Sequence, residues 1–173
     1  MVRMIYLGID PGMDGAAAVI DGENVQFFDT PTLDVGGGKK NKRTYDVTAM
    51  ADYLNRFGDS DSDLAINHVV CGIESVHSMP EQGVASSFAF GVGFGMWLGI
   101  LAALKIPYTL ITPQRWKKVM MDGMGKEKDA SRIVAMRLFP SSDLHLKKHH
   151  GRADALLIAE FCRRTHHASQ NPA

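Results

Sequence analysis

The chain predicts an α/β domain: a five-stranded mixed sheet with helices on both faces. Two patterns predict it. The first is an opening meander of three short apolar runs, at 4–9, 16–20 and 25–29, parted by Asp10-Pro11-Gly12 and by Asp21-Gly22. The second is the alternation that follows, in which apolar runs at 68–74 and 108–111 are separated by stretches of helical spacing.

Taken in order, the run at 4–9 is rich in branched residues and closes on a turn, as a strand does. The runs at 16–20 and 25–29 complete an antiparallel trio. Residues 31–44 hold Gly36-Gly37-Gly38 and a basic cluster, and predict a flexible exposed loop. Val47, Met50, Ala51, Leu54 and Phe57 recur at helical spacing behind Asp46, a capping residue type. His68 to Glu74 is a buried strand ending on a carboxylate. Ser86 or Ser87 is the expected cap of a long helix ending at Leu104. Its 88–104 stretch carries no charge and has Gly91, Gly95 and Gly99 at every fourth position, predicting a buried central helix that lets a sheet or partner helix approach closely. The alternative, a membrane span, sits at the bottom of the length range and has no companion segment. After the Pro107 break comes a strand at 108–111. Pro113 then opens a helix to Val119, where proline is tolerated in a first turn. A further helix is expected at 126–139 and a last one at about 151–164, leaving one domain over 1–165 and a frayed tail at 166–173.

With 173 residues the chain is long enough to bury a core without disulfides or a structural metal. Composition is ordinary for a globular protein, which excludes disordered and fibrous classes. The N-terminus lacks the long apolar core of a signal peptide. Cys71 and Cys162 lie in apolar runs far apart and read as free buried thiols, consistent with a cytoplasmic protein. A formal net charge of zero tells against coating nucleic acid through a global field. Local basic clusters remain at 39–43, Lys117-Lys118 and Lys147-Lys148.

Three acids end or open apolar elements: Asp10 after the first strand, Glu74 after the fourth, Asp154 in the first turn of an otherwise apolar helix. Singly they read as a turn residue, a salt-bridging or dipole group, and a helix-dipole group. Together they are explained more simply by one cation site, because a carboxylate facing a core is unfavourable unless paired or metal-bound. Hard divalent ions take oxygen ligands and need few protein carboxylates. Two such ions about 3.5–4 Å apart serve phosphodiester hydrolysis.

Gly8-Ile9-Asp10-Pro11-Gly12, Cys71-Gly72-Ile73-Glu74 and Gly151-Arg152-Ala153-Asp154-Ala155-Leu156 resemble, in order and spacing, the motifs of the RuvC-type Holliday junction resolvases, especially their shorter phage and prophage branch. The resemblance runs from Met4 to about Arg164. It implies a ribonuclease-H-like fold and a homodimer on a four-way DNA junction, with no nucleotide cofactor and no membrane. It also implies paired symmetric nicks dependent on two Mg²⁺ or Mn²⁺ ions per site, leaving 5′-phosphate and 3′-hydroxyl ends. Asp10 would bridge both ions, with Glu74 on one and Asp154 on the other.

The family commonly carries a carboxylate or histidine three residues before the last aspartate, where this chain has Gly151. His150, four residues before Asp154, shares its helix face and is the expected fourth ligand or proton-transfer group, with His149 as alternate. A histidine there favours Mn²⁺ somewhat. Lys117 and Lys128 (or Lys126) fall where the family places basic groups near the scissile phosphate. His77 stands where relatives carry an aromatic wedge that enters the junction. Lys39, Lys40, Lys42, Arg43 and Lys118 are expected to contact DNA phosphates, which position a duplex without reading it.

Three other readings compete. A GIDPG-like string also opens actin-like kinases and ATPases, which need a second domain and a second phosphate loop. A junction-binding module without cleavage would not need the three acids. A nuclease for flaps or forks would need the same site.

Overall fold

The computed structural model describes residues 4–36, 42–58, 68–75, 83–125 and 129–170. Strands β1 (Ile5–Asp10), β2 (Ala16–Asp21) and β3 (Asn24–Asp29) form the expected antiparallel meander. Strands β6 (Val69–Glu74) and β7 (Tyr108–Ile111) extend it in parallel on the other side of β1, giving the order β3-β2-β1-β6-β7. Parallel neighbours need crossovers, and helices supply them. Helix α1 (Val47–Gly58) precedes β6, and α2 (Val84–Ala103) joins β6 to β7. Helices α3 (Pro113–Met120), α4 (Ala130–Leu138) and α5 (His150–Gln170) follow.

Strand alternation divides the core in two, because successive side chains point to opposite faces. Ile5, Leu7 and Ile9, with Ala17 and Val19, pack with Met50 and Leu54 of α1 and Trp97 and Leu101 of α2. Tyr6, Ala16, Ala18 and Ile20 face Trp116 of α3, Ala135 of α4 and the apolar run of α5. Leu156, Leu157 and Ile158 are fully buried there, each worth about 1.5–3 kcal/mol relative to exposure. The sheet is therefore mixed and covered on both faces, as the alternation predicts.

Local chemistry sets several boundaries. Asp46 Oδ1 accepts from Ala49 N at 3.0 Å, capping α1. Thr112 Oγ1 accepts from Arg115 N at 3.4 Å, and Pro113 occupies the first turn of α3. Helix α2 ends in a left-handed residue that is not glycine: Lys105 has φ 56°, with Lys105 N bonded to Ala102 O and Ile106 N to Leu101 O.

Four expectations are corrected. The segment 31–44 is not simply a loop: β4 (Thr32–Asp34) and β5 (Arg43–Tyr45) pair as a small antiparallel sheet, Leu33 opposite Thr44. Helix α2 starts at Val84 behind Gly83, with no side-chain cap from Ser86 or Ser87. Its glycine stripe faces outward. An added Cβ at Gly91, Gly95 or Gly99 would meet nothing within 4 Å, while Gly93, Trp97, Ile100 and Leu101 make the buried face. Helix α2 passes the length and hydropathy test for crossing a bilayer, with one face in the core and Val84 and Phe88 strongly exposed on the rest. Finally, α5 continues past Arg164 to Gln170, and Tyr6 Oη lies 3.1 Å from His166 Nδ1, holding the last turns against β1.

Candidate active site

The register of β1 and β6 builds the site. Ile9 pairs with Ile73, so the next residues, Asp10 and Glu74, stand side by side at the carboxyl ends of parallel neighbours. Both have even spacing from Gly8 and Gly72, and share the sheet face covered by α5.

Helix α5 reaches that face closely because glycines line its path. Gly8 lies opposite Gly72 in the register. A Cβ on Gly8 would collide with the Ala155 carbonyl and Ala159 N, and one on Gly72 would meet Cys162 Sγ at 2.5 Å. At the start of α5, a Cβ on Gly151 would collide with the Asp14 carbonyl. The loop after β1 is thus pressed onto the first turn of α5, and Asp154 is carried to the two strand ends.

The electrostatics show the convergence. Burial, then the Asp154 and Glu74 charges, push the Asp10 carboxyl from 3.8 up to about 7, against the Gly12 N–H, which donates to Oδ1 at 3.3 Å. Glu74 is raised by burial and by Asp154, opposed by a hydrogen bond from Trp116. Asp154 is raised by burial, opposed by the Ser131 hydroxyl, by Lys117 and by His150. Among the described residues, Lys117 is the cation whose charge reaches all three carboxylates.

That excess of negative charge fits divalent ions. Asp154 Oδ1 is buried with no hydrogen-bond partner, a state that a bound cation would relieve. The all-carboxylate donor set suits a hard ion. The side chains do not form a closed ligand shell, since among the described residues no three His, Cys, Asp or Glu groups stand at metal-binding spacing. Glu74 Oε1 accepts a hydrogen bond from Trp116 Nε1 at 2.8 Å.

The expected site residues divide as follows. Asp10, Glu74, Asp154 and Lys117 come together. His150 is exposed at the first position of α5, its Nδ1 3.4 Å from the Lys147 carbonyl, and its charge is felt by Asp154. His149, the alternate, belongs elsewhere. It is 5% exposed, its surroundings are Asp143, Arg152, Lys148 and Asp29, and burial lowers its pKa. Lys118 is exposed on α3 and is not among the charges that act on the three acids. Lys42 is exposed, and Arg43 pairs with Asp14 at 2.8 Å. Lys39, Lys40, His77, Lys126 and Lys128 lie outside the described residues.

Three contributors were missed from sequence. Trp116 is fully buried and orients Glu74. Ser131 serves Asp154. Tyr45, buried against the side-chain-free Gly93, feels the Asp10 charge. The only sequence signal was the indole itself, since a buried tryptophan N–H needs an acceptor.

No protein-family model matches the chain. Over 85 residues, 48% of the chain, it is 39% identical to the chloroplastic Holliday junction resolvase MOC1 of Chlamydomonas reinhardtii, and the match spans 10% of that protein's length. The structure of Thermus thermophilus RuvC superposes with a TM-score of 0.55 at 16% identity, covering 94% of this chain and 97% of that one. T. thermophilus RuvC in complex with a Holliday junction substrate gives a TM-score of 0.58 at 14% identity, over 94% and 96% of the two chains. The chain therefore has the ribonuclease-H-like fold of RuvC.

Proposed function

We propose that the chain is a Mg²⁺- or Mn²⁺-dependent endodeoxyribonuclease that resolves four-way DNA junctions by paired symmetric nicks, leaving 5′-phosphate and 3′-hydroxyl ends. One observation carries this reading: Asp10, Glu74 and Asp154 converge, with Lys117, in one half-buried group at the ends of β1 and β6. The resolvase named among its relatives and the junction bound to RuvC supply the substrate class.

Two divalent ions held by Asp10, Glu74 and Asp154 would supply an activated water and stabilise the leaving oxygen. The chain's own groups do the rest. Trp116 fixes the Glu74 rotamer through its indole N–H. Lys117 aims positive charge at the phosphate, where charge develops in the transition state. His150 stands exposed at the rim, at the first position of α5. Arg43, at the start of β5, and Lys42 just before it hold flanking phosphates.

Paired nicking needs two sites, and the outward face of α2 provides a dimer surface. Gly91, Gly95 and Gly99 leave its backbone open to a close partner helix, and Phe88 is 73% exposed beside them. Sedimentation at micromolar concentration should show a dimer.

The deciding experiment is cleavage of an end-labelled four-way junction with Mg²⁺ or Mn²⁺, comparing the wild type with Asp10→Asn and including flap and fork substrates. Symmetric nicks in opposed strands, absent in the variant, are expected. Binding without cleavage in either metal would leave a junction-binding protein, and equal cleavage of flaps would widen the substrate class.

A further inference from the structure

Arg152 ties the start of α5 to two other elements. Its Nε and Nη2 each donate to a different Asp29 oxygen at 2.6 Å, a bidentate fork onto the end of β3. Its Nη1 donates to Asp143 Oδ2, also at 2.6 Å, in the segment between α4 and α5. The guanidinium lies 5.8 Å from the centre of the Phe27 ring, again on β3.

The strand register shows what this clamp aligns. Asp10 pairs with Ala16, and Ala16 pairs with Asp29, so the three stand in one row on the sheet face that α5 covers. Asp29 is therefore two strands from Asp10, about 10 Å at the usual spacing. Arg152 and Asp154 are two residues apart, about 200° around the helix, so they leave opposite sides of a cylinder about 10–12 Å across. One side chain reaches Asp29, and the other reaches the Asp10 pocket. The first turn of α5 straddles the row, with an ion pair at its outer end and a carboxylate at its inner end.

Small residues surround that turn. Gly151, Ala153 and Ala155 are buried, and the first large core side chain of α5 is Leu156. Contacts of that kind set how closely the turn lies on the sheet and resist its rolling weakly. A roll of about 20° would carry a carboxylate about 5–6 Å from the axis through about 2 Å. A misplacement of about 1 Å at a reacting group can cost about 100-fold in rate. Asp29 and Asp143 are 58% and 55% exposed, so their pairs with Arg152 add little to global stability. We propose that Arg152 is a positioning residue: its clamp on Asp29 and Asp143 sets the roll of α5 and so the place of the Asp154 carboxylate beside Asp10 and Glu74. The proposal rests on the nuclease reading for the reaction it serves.

The test is a double-mutant cycle of Arg152→Ala, Asp29→Ala and the pair. Three quantities are read: amide hydrogen exchange of the metal-free protein in EDTA, Mn²⁺ affinity by calorimetry, and single-turnover cleavage of a labelled four-way junction. In each single variant, amides 154–157 should exchange about tenfold faster while the urea midpoint stays close to the wild type's. Mn²⁺ affinity should fall about tenfold and cleavage about 10–100-fold, with junction affinity in Ca²⁺ within about twofold. The double variant should be no worse than Arg152→Ala, since both changes open the same fork. Arg152→Lys keeps the charge without the fork and should fall between. Unchanged exchange, additive losses, or a loss of junction affinity confined to Arg152→Ala would overturn the clamp. So would an equal loss in Arg164→Ala, which opens the 2.8 Å pair to Glu160 about three turns along α5. If the wild type cleaves in no metal, the nuclease reading fails by itself. Exchange and Mn²⁺ affinity then decide: changes in both single variants uphold the clamp, and wild-type values overturn it.

Discussion

Asp10→Asn should stabilise the metal-free protein while abolishing cleavage. In the fold, burial and then the Asp154 and Glu74 charges raise the Asp10 pKa from 3.8 to about 7. A carboxyl whose folded pKa lies above its unfolded value contributes stability below the unfolded pKa, and that stability is lost as pH rises through the folded one. The window runs from about pH 4 to about pH 7. Each tenfold change in proton affinity is worth about 1.4 kcal/mol, so the ionised Asp10 weakens the metal-free fold by at most about 4 kcal/mol at pH 8 and by less than about 2 kcal/mol at pH 5. Asparagine removes the charge and keeps a carbonyl for the Gly12 N–H. Urea unfolding in EDTA should show the variant more stable by about 2–4 kcal/mol at pH 8, with a clearly smaller gain at pH 5. Mg²⁺ should then raise the wild-type midpoint more than the variant's. No gain at pH 8, or equal gains at both pH values, would refute the clustering of buried like charges at Asp10.

Trp116→Phe keeps the ring in the core and deletes the 2.8 Å hydrogen bond to Glu74. Single-turnover cleavage should fall about 10–100-fold, with junction affinity little changed and stability down by about 1 kcal/mol. His150→Ala should slow turnover and leave junction binding intact in a mobility-shift assay; unchanged cleavage would remove this exposed histidine from the site. Lys105→Gly should raise the unfolding midpoint by about 1 kcal/mol equivalent, since φ 56° strains a lysine and suits glycine, and lower stability would contradict that strain.

Much of this was legible in sequence, and the misses have physical causes. The strands of the main sheet showed because β1, β2 and β6 are short, branched and buried. Asp10, Glu74 and Asp154 showed because acids closing or opening apolar elements need a reason. The β4–β5 pair was hidden by its size: Thr32–Asp34 and Arg43–Tyr45 are three residues each, too short for any periodicity. The face of α2 was misassigned because the helix is apolar all round, so spacing could not choose between Gly95 and Trp97. Trp116 passed as ordinary core, since an aromatic at helical spacing announces burial and says nothing of its N–H. His149 and His150 are neighbours in sequence, and only the turn of backbone leading into α5 separates an inward ring from an outward one.

Gly151 has a consequence for anyone redesigning this protein. Its missing side chain leaves no room for an acid or imidazole, because the Asp14 carbonyl and Gly15 Cα already occupy the space. A single substitution to aspartate or histidine would wedge the loop off the helix and displace Asp10 and Asp154 together. Placing an acid or imidazole there would require rebuilding residues 13–15 in the same step. An added acid or imidazole beside Asp154 would have to be placed at a neighbouring position instead.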